Sequence, residues 1–298
     1  MAHPGIETIV ELLGGIDLHT TDIAARRAAP SRRPVRCLRP RAWASHQRRS
    51  PAGRPSGSTR PAPTRRTRTH AVLYLHGGAY TVGSLNTHRA LGGRLAIATG
   101  VAVVTLDYRL APEHPFPAAV EDAASALAEL VGRFGADHVA IAGDSAGGGL
   151  AVATVLLARG RGQALPAAVA TISPWADLTH THETHTTKAD ADPWVATEVL
   201  DVSAADYLAG AEATDPLASP VFADLAGLPP LRIDVGDREV LLGDSLVLAE
   251  RARAAGVAVD LHEWPEMIHV FPAFPGELVP EADAAVAAIG AFLRGHLA

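Results

Sequence analysis

The chain has 298 residues, 48% of them hydrophobic, enough for a sizeable buried core in one large domain or two small ones. A single cysteine, Cys37, excludes an intramolecular disulfide, and no apolar run reaches the ~20 residues that cross a bilayer. With no basic segment leading into an apolar stretch at the N-terminus, the expectation is a cytoplasmic protein.

Residues 5–13 place Ile6, Ile9, Val10 and Leu13 on one side, which predicts a helix within the first 23 residues. Residues 24–70 are unlike the rest. Between Arg26 and Arg68 lie fourteen arginines and seven prolines with no Asp or Glu, so the net charge of −6 hides a basic stretch on an acidic chain. Three readings stay open. A basic arm for nucleic acid would need a nucleic-acid domain behind it, and none is visible. A solvated, disordered insert is compatible, because Arg/Pro/Ser-rich sequence buries too little apolar area to order itself. A GC-rich coding segment translated out of frame would give the same composition. The last two place the chemistry elsewhere, and nucleic acid is not an expected partner.

From Ala71 onward, short apolar runs alternate with longer amphipathic stretches. Strands are predicted at 71–75, 101–106, 139–142, 168–172, 231–235 and 257–263, and helices at 86–99, 117–134, 146–159, 244–255 and 281–295. Continuous apolar strands alternating with helices imply an α/β fold, a mostly parallel sheet flanked by helices. Residues 178–214 break the alternation and read as an insertion above the carboxyl edge of the sheet.

Gly143-Asp144-Ser145-Ala146-Gly147 follows the run VAIA and precedes an Ala/Leu/Val-rich helix. A G-x-S-x-G turn between strand and helix is the context of a nucleophile elbow, with Ser145 as the attacking residue. The glycines make room where the serine is forced into a strained bend. His76-Gly77-Gly78-Ala79-Tyr80 follows the run AVLYL and suits an oxyanion loop, with donors expected from the N–H groups of Gly77, Gly78 and Ala146. His76 itself reads as structural within that loop.

Together with DYRLAPEHPFPAAVED (107–122), SPWADLT (173–179), LPPLRIDVGDREVLL (228–242) and MIHVF (267–271), these motifs resemble the hormone-sensitive lipase family, the bacterial family IV esterases. The resemblance covers residues 71 to about 296. It implies an α/β-hydrolase fold with a helical cap built from N-terminal helices (residues 1–23) and the 178–214 insertion. It also implies a hydrolase of short-chain acyl esters working through a Ser-His-acid triad and a covalent acyl-enzyme. Triad order in this fold is Ser, acid, His, and His269 matches the family's His-x-Phe pattern after the last strand. His262, within that strand, is the weaker candidate. Laid over the family's Asp-x-Leu-x-Asp pattern, the acid falls on Glu239, with Asp237 as the alternative. Gly243 stands where the family has a second acid, and Asp244 reads as the cap of the following helix.

Trp175 and Trp194 are candidates for lining the acyl pocket, with an ordinary packing role equally open. Asp107, Tyr108, Arg109 and Glu113 are read as bracing the loop beside the site. His180, His182 and His185 lie in a polar stretch, Thr179–Asp192, without the register that converges metal ligands, so a solvated cap loop is expected. No cofactor or metal is expected. The expected partner is a small-molecule ester, and a homodimer stays open. An amidase, a long-chain lipase, a non-catalytic member of the fold, or an enzyme damaged by residues 24–70 are the alternatives.

Overall fold

The computed structural model describes residues 4–13, 20–28 and 69–298. The six expected strands are all present, with ends shifted by a residue or two: β1 (Ala71–Leu75), β2 (Ala102–Leu106), β3 (Val139–Asp144), β4 (Val169–Ile172), β5 (Leu231–Gly236) and β6 (Val259–Trp264). They form one sheet in the order β2-β1-β3-β4-β5-β6, and every neighbouring pair is parallel. Because side chains alternate along a strand, the sheet feeds two cores. Leu73, Leu75, Ile141 and Ile233 belong to one apolar cluster, and Val72, Tyr74, Ala140 and Ala142 to the other.

Among the described residues, two short helices precede the sheet. In α1 (Pro4–Leu13), Ile6 and Ile9 are buried against Met267, Ile268 and Phe271, each contributing roughly 1.5–3 kcal/mol. Helix α1 is thereby clamped onto the segment that carries His269. Helix α2 (Ile23–Ala28) is held by Arg27, whose guanidinium pairs with Glu113 at 2.6 Å and donates to the carbonyls of Thr81 and Ala111. The beginning of the Arg/Pro-rich stretch is thus folded, and residues 29–68 of it lie outside the described residues.

Helix α3 (Leu85–Thr99) opens on a Ser84 cap whose Oγ accepts from Asn86 and Thr87, and ends at Gly100 with φ of 73°, a backbone state suited to glycine. Helices α4 (Ala118–Phe134) and α5 (Ala146–Gly160) cover the first core. The insertion, expected to contribute to a helical cap but with no helix placed in it, contains α6 (Thr184–Thr187) and α7 (Thr197–Leu208). Tyr207 of α7 stacks on Tyr80 at 3.8 Å, and its carbonyl accepts from Phe116 N–H at 2.7 Å, so α7 is fastened over the loop after β1. Helix α8 (Leu242–Ala254) follows β5, and α9 (Pro280–His296) packs with α3 on the second core. No helix among the described residues is long and apolar enough to cross a membrane.

Candidate active site

Ser145 joins β3 to α5 with φ of 53° and ψ of −124°, a strained conformation for a residue with a side chain. The surroundings hold it there. Its N–H donates to the Ile172 carbonyl at 2.8 Å, and its carbonyl accepts from Gly148, Gly149 and Trp175. A Cβ on Gly143 would stand 2.2 Å from Gly147 O, and one on Gly147 would stand 2.1 Å from Leu75 O. The motif's glycines are therefore demanded by backbone packing on both sides of the bend. Ser145 is half-exposed among buried neighbours.

The loop after β1 turns sharply, with Thr81 and Val82 N–H both donating to Gly78 O. Of the three expected oxyanion donors, Gly78 and Ala146 have N–H groups with no acceptor among the described residues. Gly77 differs, because its N–H is taken by Asp144 Oδ2 at 3.2 Å. Asp144 also accepts from Tyr74 Oη at 2.6 Å and meets His88 Nε2 at 3.1 Å. Burial pushes the Asp144 carboxyl up, but the charge and hydrogen bond of His88 more than reverse this and hold it below its usual range. His76 stacks on Tyr108 at 4.3 Å and hydrogen-bonds its Nδ1 to Gly77 O, while Tyr108 Oη donates to His76 O. Burial lowers the His76 pKa, which keeps the ring neutral and structural. Of the residues expected to brace this loop, Tyr108 does so directly. Arg109 pairs with Asp122 of α4, and Glu113 holds α2.

His269 lies in the turn after β6, nearly fully buried. Its Nδ1 meets Glu239 Oε2 at 2.8 Å. The other carboxylate oxygen of Glu239 accepts from Ser173 Oγ at 2.7 Å and Gly236 N–H at 2.6 Å. Ser173 Oγ in turn accepts from Val270 N–H at 3.0 Å, so one hydroxyl ties the acid to the residue beside His269. Asp237 does not join them, its carboxylate accepting from Glu266 N–H on a half-exposed turn. The two acids are two positions apart, and only Glu239 points inward with a reach long enough to meet the imidazole. His262 is exposed and packs on Trp264, away from this group. Burial alone would lower the His269 pKa, but the hydrogen bond and charge of Glu239, then Asp192 and Asp144, raise it above its ordinary value.

Several expectations need correction. Trp175 is wholly enclosed, 0% exposed, with its ring against Tyr80 and His180. It supports the elbow through its backbone N–H and offers no surface to a pocket. Trp194 is half-buried and lies edge-on to His269 with ring centres 6.3 Å apart. The histidines of the insertion are not a solvated loop. His185 is buried, His180 accepts from Trp175 Nε1 at 3.0 Å and meets Asp201 at 2.7 Å, and His182 lies 3.2 Å from Asp177. No group of three His, Cys, Asp or Glu among the described residues could hold a metal ion. Asp244 does not cap α8. It lies within the first turn and sends Oδ2 to the N–H groups of Ala176 and Asp177, both at 2.9 Å. Gly243 has a reason to be glycine, since a Cβ there would stand 2.6 Å from His182 Cβ.

Ser173, Asp144 and Asp192 are the site-supporting residues that sequence reasoning missed. Their one signal was a small polar residue at or just beyond the carboxyl end of a strand, or an acid beside proline.

Residues 72–273 match a family model described as alpha/beta hydrolase fold. An acetyl-hydrolase of Streptomyces hygroscopicus is 48% identical over 224 residues, covering 75% of each chain. A solved esterase/lipase from an uncultured bacterium is 49% identical, with a TM-score of 0.74 and 77% of each chain covered. An esterase from the bacterial hormone-sensitive lipase family is 47% identical, with a TM-score of 0.76 and 78% of each chain covered.

Proposed function

The chain belongs to the alpha/beta-hydrolase family, among the esterases of its bacterial hormone-sensitive lipase branch, and we propose that it hydrolyses short-chain acyl esters through an acyl-Ser145 intermediate. The observation that carries the reading is the His269–Glu239 hydrogen bond, set in the same sheet edge as the strained Ser145 bend.

In this mechanism the neutral His269 imidazole removes the Ser145 hydroxyl proton as Oγ attacks the ester carbonyl carbon. The carbonyl π-bond pair moves onto oxygen, and the N–H groups of Gly78 and Ala146 receive that charge at the N-terminus of α5. Gly77 contributes indirectly, its N–H anchoring the loop to Asp144. On collapse the imidazolium gives its proton to the leaving alcohol, and the acyl group remains on Ser145. Water then attacks the acyl-enzyme, with His269 taking its proton and returning it to Ser145, and the carboxylic acid departs. Glu239 holds the imidazole by Nδ1, which leaves Nε2 as the nitrogen that exchanges the proton with the serine. Loss of one oxyanion donor typically costs about 10²–10³ in rate.

The test pairs p-nitrophenyl esters, from acetate to laurate, with a fluorophosphonate probe that reacts fast only with an assembled elbow, base and oxyanion hole. Turnover should be greatest on the short esters, and Ser145→Ala should lose both turnover and labelling. A Ser145→Ala chain that still turns over acetate ends the proposal.

A further inference from the structure

The mechanism above leaves one carboxylate beside the catalytic pair unused. Asp192, in the insertion, is 3% exposed. Its Oδ1 accepts from the N–H groups of Trp194 and Val195 at 2.9 and 3.0 Å, and its Oδ2 accepts from Val240 N–H at 3.1 Å. Val240 is the residue after Glu239, and the Trp194 ring lies edge-on to His269. One side chain therefore fastens the insertion to the turn that presents the acid and aims the aromatic that covers the base. An asparagine could serve Trp194 and Val195 but would turn an N–H donor toward Val240 N–H, so the three-donor cradle calls for an acid.

No cation pairs with Asp192 among the described residues. Arg238 approaches only through the Ala191 carbonyl, its Nη1 leaning toward Glu7 at 3.6 Å. The titratable groups that act on Asp192 are His269 and Glu239, and those that act on His269 are Glu239, Asp192 and Asp144. Burial and then the Glu239 charge raise the Asp192 pKa, while His269 and the N–H groups of Val195 and Trp194 pull it back, so the Asp192 carboxylate and the protonated His269 ring favour each other.

We propose that Asp192 is a positioning residue for the hydrolysis, tying the insertion to the Glu239 turn and supplying a second negative charge that stabilises the His269 imidazolium. The geometric half rests on the proposed esterase reading, while the electrostatic half is measurable without turnover.

The experiment follows the His269 ring by NMR through its titration in the full chain, in wild type and in Asp192→Asn, beside the pH profile of kcat/KM on p-nitrophenyl acetate. In Asp192→Asn the ring's midpoint should fall by about half a unit or more. The acid limb of kcat/KM should move with it, and kcat should drop about tenfold with KM nearly unchanged. Asp192→Glu keeps the charge and disturbs the cradle, so it should lose rate while holding the wild-type midpoint. A midpoint unmoved in Asp192→Asn, or lowered equally by Glu, overturns the proposal. Wild type alone also decides, since the Asp192 carboxyl carbon must respond as His269 titrates, and silence there refutes the coupling even if no variant folds. A wild-type chain inert to esters and probe would sink the esterase reading and leave these NMR outcomes intact.

Discussion

Removing the Ser173 hydroxyl probes the hinge on which the acid and base meet. Ser173 Oγ donates to Glu239 and accepts from Val270 N–H, and the residue is 0% exposed. In Ser173→Ala, Glu239 Oε1 keeps one donor, Gly236 N–H, beside the His269 bond on Oε2, and loses a charge-assisted bond worth about 1.5–3 kcal/mol. Val270 N–H is left buried without an acceptor, at a cost of about 1–3 kcal/mol. The two losses share one atom and overlap, so the expected destabilisation is about 2–4 kcal/mol. A second variant isolates the hydroxyl from the backbone. Ser173 has φ of 48°, where a side chain is strained and glycine is not. Ser173→Gly should therefore lose the same hydrogen bonds yet recover about 1 kcal/mol relative to Ser173→Ala. Urea denaturation gives the stabilities, and kcat on p-nitrophenyl acetate should fall about 10- to 100-fold in both variants as the Glu239–His269 pair loosens. A Ser173→Ala chain within about 0.5 kcal/mol of wild type, with kcat intact, would refute the bridging argument.

Glu239→Gln should lower kcat by about 10²–10⁴ by loosening the imidazole orientation, whereas Asp237→Asn should stay within about twofold of wild type; equal losses from both would reverse the assignment of the acid. Because the folded His269 pKa is raised, kcat/KM should climb with pH through a midpoint above about 6.5, as the ring loses its proton. Linkage runs the other way for stability. His269 contributes fully below its unfolded value and loses that contribution as pH rises through the raised folded value, so activity and this part of stability should change in opposite senses. Urea midpoints for wild type and Glu239→Gln across that window measure it. In Gly147→Ala the added carbon would meet Leu75 O at 2.1 Å, a backbone atom of the central sheet. We expect an insoluble chain or one destabilised by more than about 4 kcal/mol, and a soluble, active variant would count against the packing account of the elbow.

The order of the strands along the chain and the strand-to-helix bend at Ser145 were legible in residue order because each depends on short-range pattern. Apolar runs fully covered on both faces mark parallel strands, and glycines flanking Ser145 mark a bend that only close backbone approach explains. The helices of the insertion escaped notice, since α6 is a single turn of Thr and His, and in α7 the buried face of Leu200, Ala204, Tyr207 and Leu208 includes Ser203 while Val199 and Val202 lie off it. What only tertiary structure decided is which groups face each other across the sheet edge. Two carboxylates two positions apart look equivalent in sequence, and the turn after β5 sends Glu239 inward and Asp237 toward Glu266. For Trp175 a pocket wall and ordinary packing were equally open until the fold enclosed it, and Gly77 passed for a free donor until Asp144, from the neighbouring strand, took its N–H. Residue order sets the backbone's local path, but hydrogen-bond partners and solvent exposure are properties of segments far apart in the chain, and folding alone brings those together.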